Sequence, residues 1–364
     1  LPESAGIDYT IITSTHSHEG PDLLGLWGPS YFKSGINSEY MALVKRRIVT
    51  SISTAVNKLR PATLRFAQDY DSARNLVTDS RQPLVKDPGI RLMQVLDSAA
   101  DTTLGVLFAW GNHPETLWSR NLQITSDFPH YVREGLEQGV RDHDGEVVTE
   151  GFGGIALYMN GAIGGLMTSD PDFPIHDPFK DTSYTAASWD KARAQGYLLA
   201  MHGINALRSD AAQTVEQAGI NLTAKTVYFP VPNQNFRLGS VLGVLKRGFS
   251  GWFRMRSEIA AFTIGPASFV TMPGETYPEI MNGGVEVPDG ADFNIEPVQT
   301  PPVRSLMPGE YKFLLGLAND EIGYILPKTQ WDAKPPYTYG SESNPYGEIV
   351  SLGPETGPIY YRTV

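Results

Sequence analysis

The chain of 364 residues contains no cysteine. That excludes disulfides, thiolate metal ligands and a cysteine nucleophile, so any metal must be held by histidine, carboxylate or other oxygen donors. Positive charge is also short: 29 Lys and Arg against 40 Asp and Glu give a formal net charge of −11. Non-specific nucleic-acid binding needs a basic surface, and this balance argues against it. No apolar run of about 18 residues occurs, so no segment reads as a membrane-spanning helix. No secretory signal, internal repeat or heptad pattern is visible. What remains is ordinary globular composition, 41% hydrophobic, 10% aromatic and 19% charged, in a chain long enough for a large domain.

The stretch Ile11-Ile12-Thr13-Ser14-Thr15-His16-Ser17-His18-Glu19-Gly20-Pro21 stands out. Its β-branched start reads as a strand ended by Gly20-Pro21, and side chains two apart on a strand share a face. His16 and His18 would then project together, as a start for a metal site or as two solvated histidines. The chain opens at Leu1-Pro2-Glu3 and reaches this strand within about ten residues, which suggests sequence upstream.

Further along, apolar residues of the loop Asp22–Pro29, Trp27 among them, either wall a pocket beside the histidines or pack under the loop. Residues 38–58 have helical spacing, with Tyr40, Leu43, Ile48, Ile52 and Val56 on one side. Strands are expected at 63–67, 90–96 and 103–110, the last two as a hairpin. The second hairpin strand delivers His113-Pro114-Glu115, another histidine at a strand exit. A helix follows over 129–138. A strand at 155–159 then runs into Asn160-Gly161-Ala162-Ile163-Gly164-Gly165. Those glycines either expose amide donors, as an oxyanion site needs, or make a tight turn. A helix over 186–208 and a strand over 222–229 come next. From Phe236 to Arg256 five cations alternate with apolar residues, without an acid, as in a membrane-facing flap or a partly buried helix. The strand 268–272 ends in Pro273-Gly274-Glu275, a strand exit that supplies a carboxylate. Alternating strands and helices indicate an α/β or α+β fold, with mixed sheets flanked by helices in one large domain.

Together these motifs resemble the neutral/alkaline (non-lysosomal) ceramidase family. The family's Thr-His-Thr-His-Ser-Gly-Pro is similar to Thr15–Pro21, its His-Pro histidine to His113-Pro114, and its Pro-Gly-Glu to Glu275. Its Asn with a Tyr five residues later resembles Asn319 and Tyr324. Its Tyr-Glu-Gly-Ala-Ser-Thr-x-Tyr-Gly is echoed by Tyr339–Gly347, and its substrate-side arginine corresponds to Arg74. The matches keep the family's order from Thr15 to Gly347.

The resemblance implies one Zn2+ held by His16, His113, Glu275 and Tyr324, with His18 beside them and the choice between His16 and His18 as direct ligand left open. It implies catalytic parts for His18, Tyr339 and Arg74, and substrate contacts at Gly164, Gly165 and Trp27. The implied activity is hydrolysis of an N-acyl amide in a lipid-like substrate by a zinc-activated water. An ester or lactone shares the tetrahedral chemistry, and a metal-stabilised lipid-binding protein without catalysis is the non-enzymatic alternative. A secreted or periplasmic location, with peripheral membrane contact through Phe236–Arg256, is implied as well. Two departures stand against a simple transfer. The family's Gly-Asp-Val-Ser-Pro reads Gly161-Ala162-Ile163-Gly164-Gly165 here, so its aspartate and serine are missing and ceramide itself is doubtful. By length, 1–364 matches the catalytic domain, with the family's first strands expected before Leu1 and no room for its immunoglobulin-like domain after Val364.

Overall fold

The computed structural model describes residues 6–364, so the opening Leu1–Glu3 lies outside the described residues. Helix α1, Ser38–Asn57, starts at Asn37, whose side chain accepts from the Tyr40 amide. Its apolar periodicity makes the helix but not a core face, because none of its residues is buried. Five strands then form a first sheet: β1 (Ala62–Asp69), β2 (Ile90–Asp97), β3 (Thr103–Trp110), β4 (Ile155–Asn160) and β5 (Gln213–Val215), in the order β5-β1-β2-β3-β4. β2 and β3 are the expected antiparallel hairpin, whereas β4 joins β3 in parallel. That parallel step requires a crossover, and helix α2 (Phe128–Gln138) supplies it. Helix α3 (Trp189–Arg208) packs beside α2, and Leu92, Phe108, Trp110, Phe128, Val132, Tyr197, Leu199 and Ile204 close the core between helices and sheet.

The second sheet holds β6 (Ile220–Pro230), β7 (Arg254–Ile264) and β8 (Ala267–Thr271). After the short strand β9 (Glu275–Thr276) it is completed by β10 (Tyr311–Leu315), in the order β6-β7-β8-β10. Phe66 and Ala109 of the first sheet share a cluster with Phe269, Phe313 and Leu315 of the second, so the two sheets meet through an apolar seam. The last short strand, β11 (Tyr324–Ile325), pairs in parallel with β9 and sets Glu275 opposite Tyr324. The architecture is thus mixed α/β, with several mixed sheets flanked by helices. No helix among the described residues is long and apolar enough to cross a membrane.

Two sequence expectations change. The segment Ile11–Ser14 is extended but makes only a single bridge, Thr13 to Ala318, in place of a sheet strand. Its neighbour explains this: Leu317 and Asn319 have φ of 49° and 61°, in the left-handed region, and cannot continue a ladder. The stretch Phe236–Arg256 is not one helix. It comprises the end of α4 (Gln234–Val241), a turn region, and the first residues of β7.

Candidate metal centre

His113 leaves β3 through Gly111-Asn112, and the buried Asn160 at the end of the adjacent β4 fixes that exit. The Asn112 amide donates to Asn160 Oδ1 (3.1 Å), and Asn160 Nδ2 donates to the carbonyls of Asn112 (3.0 Å) and Thr15 (3.0 Å). One amide side chain therefore ties both histidine segments together. His16, with φ of 65°, turns its ring inward, and the His18 amide donates to the Pro114 carbonyl at 3.4 Å. The ring centroids of His16 and His18 are 4.6 Å apart, and both lie within 6 Å of His113, at 5.0 and 5.7 Å. One ligand nitrogen from each of the three lies within 4.8 Å of the others.

Glu275 enters from the second sheet. Its Oε2 lies 2.9 Å from His113 Nε2 and 3.4 Å from His16 Nε2. Tyr324 Oη, delivered by the parallel pairing of β9 with β11, is 3.3 Å from His113 Nε2. The structure therefore brings together all four residues that the resemblance implies as ligands, with His18 beside them. His113 Nδ1 donates to the Leu166 carbonyl at 2.8 Å, which turns Nε2 toward the cluster.

The electrostatics follow from burial. Burial opposes charge on His113, but the hydrogen bond and charge of Glu275 outweigh it and raise the ring to about 9. His16 is lowered by burial. Burial would raise Glu275, but the neighbouring imidazoles hold it well below the usual carboxylate range. Burial and the charge of Glu275 push both the Tyr324 phenol and the nearby Glu321 carboxyl well above their ordinary values. Without metal, the raised His113 ring keeps a proton facing Glu275, which a bound cation must displace. The donor set suits one: His16 Nε2 is buried without a hydrogen-bond partner, and two or three imidazoles with a carboxylate and a phenol oxygen match zinc's preferences.

The remaining sequence candidates fall elsewhere. Arg74 is exposed and pairs with Asp71 at 2.5 Å, three residues away. Arg81, with its side chain 10% exposed, donates to Glu348 (2.6 Å) and lies over the Tyr277 ring. Tyr339 donates to Glu286 at 2.6 Å on a half-exposed turn, away from the cluster's contacts. Tyr346 instead stands edge-on to Tyr324 with ring centroids 5.9 Å apart. The expectation of free amide donors at the glycines is corrected for Gly164. Its N–H donates to the Thr276 carbonyl at 3.0 Å, and Gly165 is buried with its carbonyl accepting from Ser80. A Cβ at Gly164 would lie 2.6 Å from Tyr277 Cα, so glycine is required by close backbone approach. Trp27 is 71% exposed on a loop tied by the Asp22 carboxylate, which accepts from the amides of Leu24, Gly25 and Trp27.

Sequence reasoning missed Asn160, Glu115 and Tyr346 as parts of this neighbourhood. Glu115 directly follows His113-Pro114, and Tyr346 is the second tyrosine of the Tyr339–Gly347 segment, so each had a local signal.

No family model and no curated protein matches the chain. Solved structures do. Neutral ceramidase from Pseudomonas aeruginosa superposes with a TM-score of 0.65 at 16% identity, over 97% of this chain and 59% of that one. The fold is that of neutral ceramidase. A ceramidase complexed with C2 gives a TM-score of 0.64 at 15% identity, over 97% of this chain and 60% of that one. The chain therefore spans about three-fifths of the length of the ceramidase structures it matches. The ceramidase fold expected from five short motifs is present across nearly the whole chain.

Proposed function

We propose that this chain is a zinc-dependent hydrolase of the ceramidase type that cleaves an N-acyl amide bond in an amphiphilic substrate. The observation that carries the reading is the convergence of His16, His18, His113, Glu275 and Tyr324 around the orphaned His16 Nε2. Zinc held there supplies an acidified water and a polarised carbonyl. The chain's own residues do the rest. Glu275 keeps its charge despite burial and balances a cation, while His113 is turned inward by its bond to Leu166. His18, with its side chain 41% exposed at the edge of the cluster, is placed to pass a proton between the centre and solvent. The raised Tyr324 phenol keeps its proton and can donate a hydrogen bond to a developing oxyanion.

An amphiphilic substrate is supported by what surrounds the cluster. The Thr125 amide donates to the Glu19 carbonyl, which sets Leu122 (97% exposed) and Ile124 beside the histidine loop. A Cβ at Gly25 would lie 2.3 Å from the Val244 carbonyl oxygen, so the loop bearing Leu24, Leu26 and Trp27 rests against the segment bearing Val241 and Trp252. Phe236 comes within 3.6 Å of the position a Cβ would take at Gly323, next to Tyr324. Neither 23–38 nor 236–257 contains an acid. We assign to this apolar, basic-edged face a peripheral contact with lipid, compatible with a secreted or periplasmic protein.

The test is elemental analysis of wild type and Glu275→Ala, coupled to fatty-acid release from amide and ester substrates. About one zinc per wild-type chain, lost with amide hydrolysis in the variant, is expected. Ester release alone would move the reading to an esterase. Lipid binding without turnover, unchanged in the variant, would favour a non-catalytic lipid-binding protein.

A further inference from the structure

The apolar seam between the two sheets ends in charge. Side chains two apart on a strand share a face, so Gln68 follows Phe66 on β1 and Arg91 precedes Met93 on β2. The antiparallel ladder sets Gln68 opposite Arg91. Phe66 and Met93 lie in or against the seam, and Gln68 and Arg91 continue it into a cavity of about 410 Å³. Tyr70, Arg304, Glu310 and Lys312 line the same cavity, and none of its lining residues belongs to the metal centre.

Two guanidinium groups here share one buried carboxylate. Arg91, 5% exposed, donates from Nη1 to Asp87 Oδ1 (3.3 Å) and to the Gly89 carbonyl (2.6 Å). Arg304, on the helical turn Val303–Leu306, donates to Asp87 Oδ2, to Asn282 Oδ1 (2.8 Å) and to the Lys312 carbonyl (3.3 Å). A guanidinium carries five N–H groups and no acceptor, so donors are left over. Arg91 Nε is buried without a partner, and Arg91 Nη2 makes no hydrogen bond among the described residues. The lining carries three cations, Arg91, Arg304 and Lys312, against the single carboxylate of Glu310. Counting Asp87 behind them still leaves positive charge in excess, within a chain of net charge −11. Burial, with the charge of Arg91 adding to it, lowers Arg304 to about 10 against the pull of Asp87. Cations gathered this way repel one another, and an anion relieves the repulsion.

We propose that this cavity is a second ligand site, which binds the phosphate group of an organic phosphomonoester through Arg91, Arg304 and Lys312. A phosphomonoester brings three strong acceptor oxygens and close to two negative charges at about pH 7. A carboxylate brings two oxygens and one charge, a poorer match to three cations. The cavity falls within the size range of small-molecule sites, so it has room for more than the phosphate. Tyr70, 59% exposed with its ring 5.3 Å from the Arg91 guanidinium, forms an aromatic rim for the organic part.

The experiment is calorimetric titration of the full chain with glycerol 3-phosphate, inorganic phosphate and butyrate. Glycerol 3-phosphate is expected to bind with a Kd below about 1 mM, and butyrate at least about tenfold more weakly. Arg91→Gln should weaken glycerol 3-phosphate about tenfold or more. Because that variant also strips Asp87 of a partner, Glu310→Gln is the second arm. Removing the wall's carboxylate should tighten binding about two- to fivefold, a gain that misfolding cannot produce. Phosphatidylcholine vesicles containing phosphatidic acid separate the two sources of the phosphate. Sedimentation released by excess glycerol 3-phosphate would make the source a lipid headgroup, and sedimentation indifferent to it a soluble ester. No binding of glycerol 3-phosphate up to about 10 mM would overturn the proposal. So would butyrate binding as tightly, or a Glu310→Gln affinity equal to wild type. Zinc uptake should be the same in wild type and Glu310→Gln, so failure here leaves the metal-centre reading standing.

Discussion

Gly164 occupies the position where the resembling family carries a serine, and restoring that serine tests whether its loss is an isolated change. The geometry says it is not. A Cβ at Gly164 would meet Tyr277 Cα at 2.6 Å and its ring at 2.7 and 2.8 Å, and Tyr277 is itself 3% exposed. The nearest obstacle is backbone, so no rotamer change relieves it. Moving that backbone disturbs the Gly164–Thr276 hydrogen bond and the strand that carries Glu275. Overpacking of this kind costs about 1–3 kcal/mol, which for a chain of this length lowers the melting temperature by about 1–4 °C. Gly164→Ala should cost nearly as much as Gly164→Ser, because the clash arises at Cβ and not at the hydroxyl. Thermal and urea unfolding of both variants, with zinc affinity measured alongside, is the assay. A Gly164→Ser protein as stable as wild type and more active in hydrolysis would refute the argument. It would show that the pocket still accepts a serine side chain there.

The remaining predictions concern the ends of the same network. Asn160→Ala removes hydrogen bonds to Thr15, Asn112 and Gly161 at a fully buried site, so a loss on the order of 3 kcal/mol is expected in urea unfolding; a loss under about 0.5 kcal/mol would mean the clamp is dispensable. In metal-free protein, His113 is raised from 6.5 to about 9, so its protonation favours the fold. That contribution, about 3 kcal/mol at most, is complete below about pH 6.5 and gone once pH rises through about 9. Urea midpoints of metal-free wild type and His113→Gln should converge as pH rises over that window, and parallel profiles would contradict the shift. Arg74→Ala should leave apparent substrate affinity unchanged, since its partner is Asp71; a several-fold weakening would return it to the site. Trp252→Ala combined with Trp27→Ala should reduce sedimentation with anionic liposomes, and unchanged sedimentation would remove this face from lipid contact.

Much of the fold was legible because its signals are local. The hairpin of β2 and β3, the helices at 38–57 and 128–138, and the strand exits bearing His113 and Glu275 each follow from a few adjacent residues. That residues 16, 113, 275 and 324 meet was legible only through motif resemblance, since nothing local says so. What stayed hidden is long-range. Whether Gly164 offers its amide depends on Thr276, over a hundred residues away, and whether α1 buries its apolar side depends on a surface that no periodicity can reveal. Tyr339 and Tyr346 share one short segment, and only the turn between them decides which stands beside Tyr324.

The pairing of β9 with β11 also bears on when a metal could bind at the proposed centre. Glu275 and Tyr324 become neighbours only when that ladder forms, and His16 and His113 join them only after the two sheets have met. Apart from His16 and His18, no two donors are close in sequence, so the unfolded chain offers a cation little to grip. Metal should therefore arrive last. It would leave the refolding rate almost untouched and act chiefly by slowing unfolding, the reverse of a zinc finger, where the ion organises the chain.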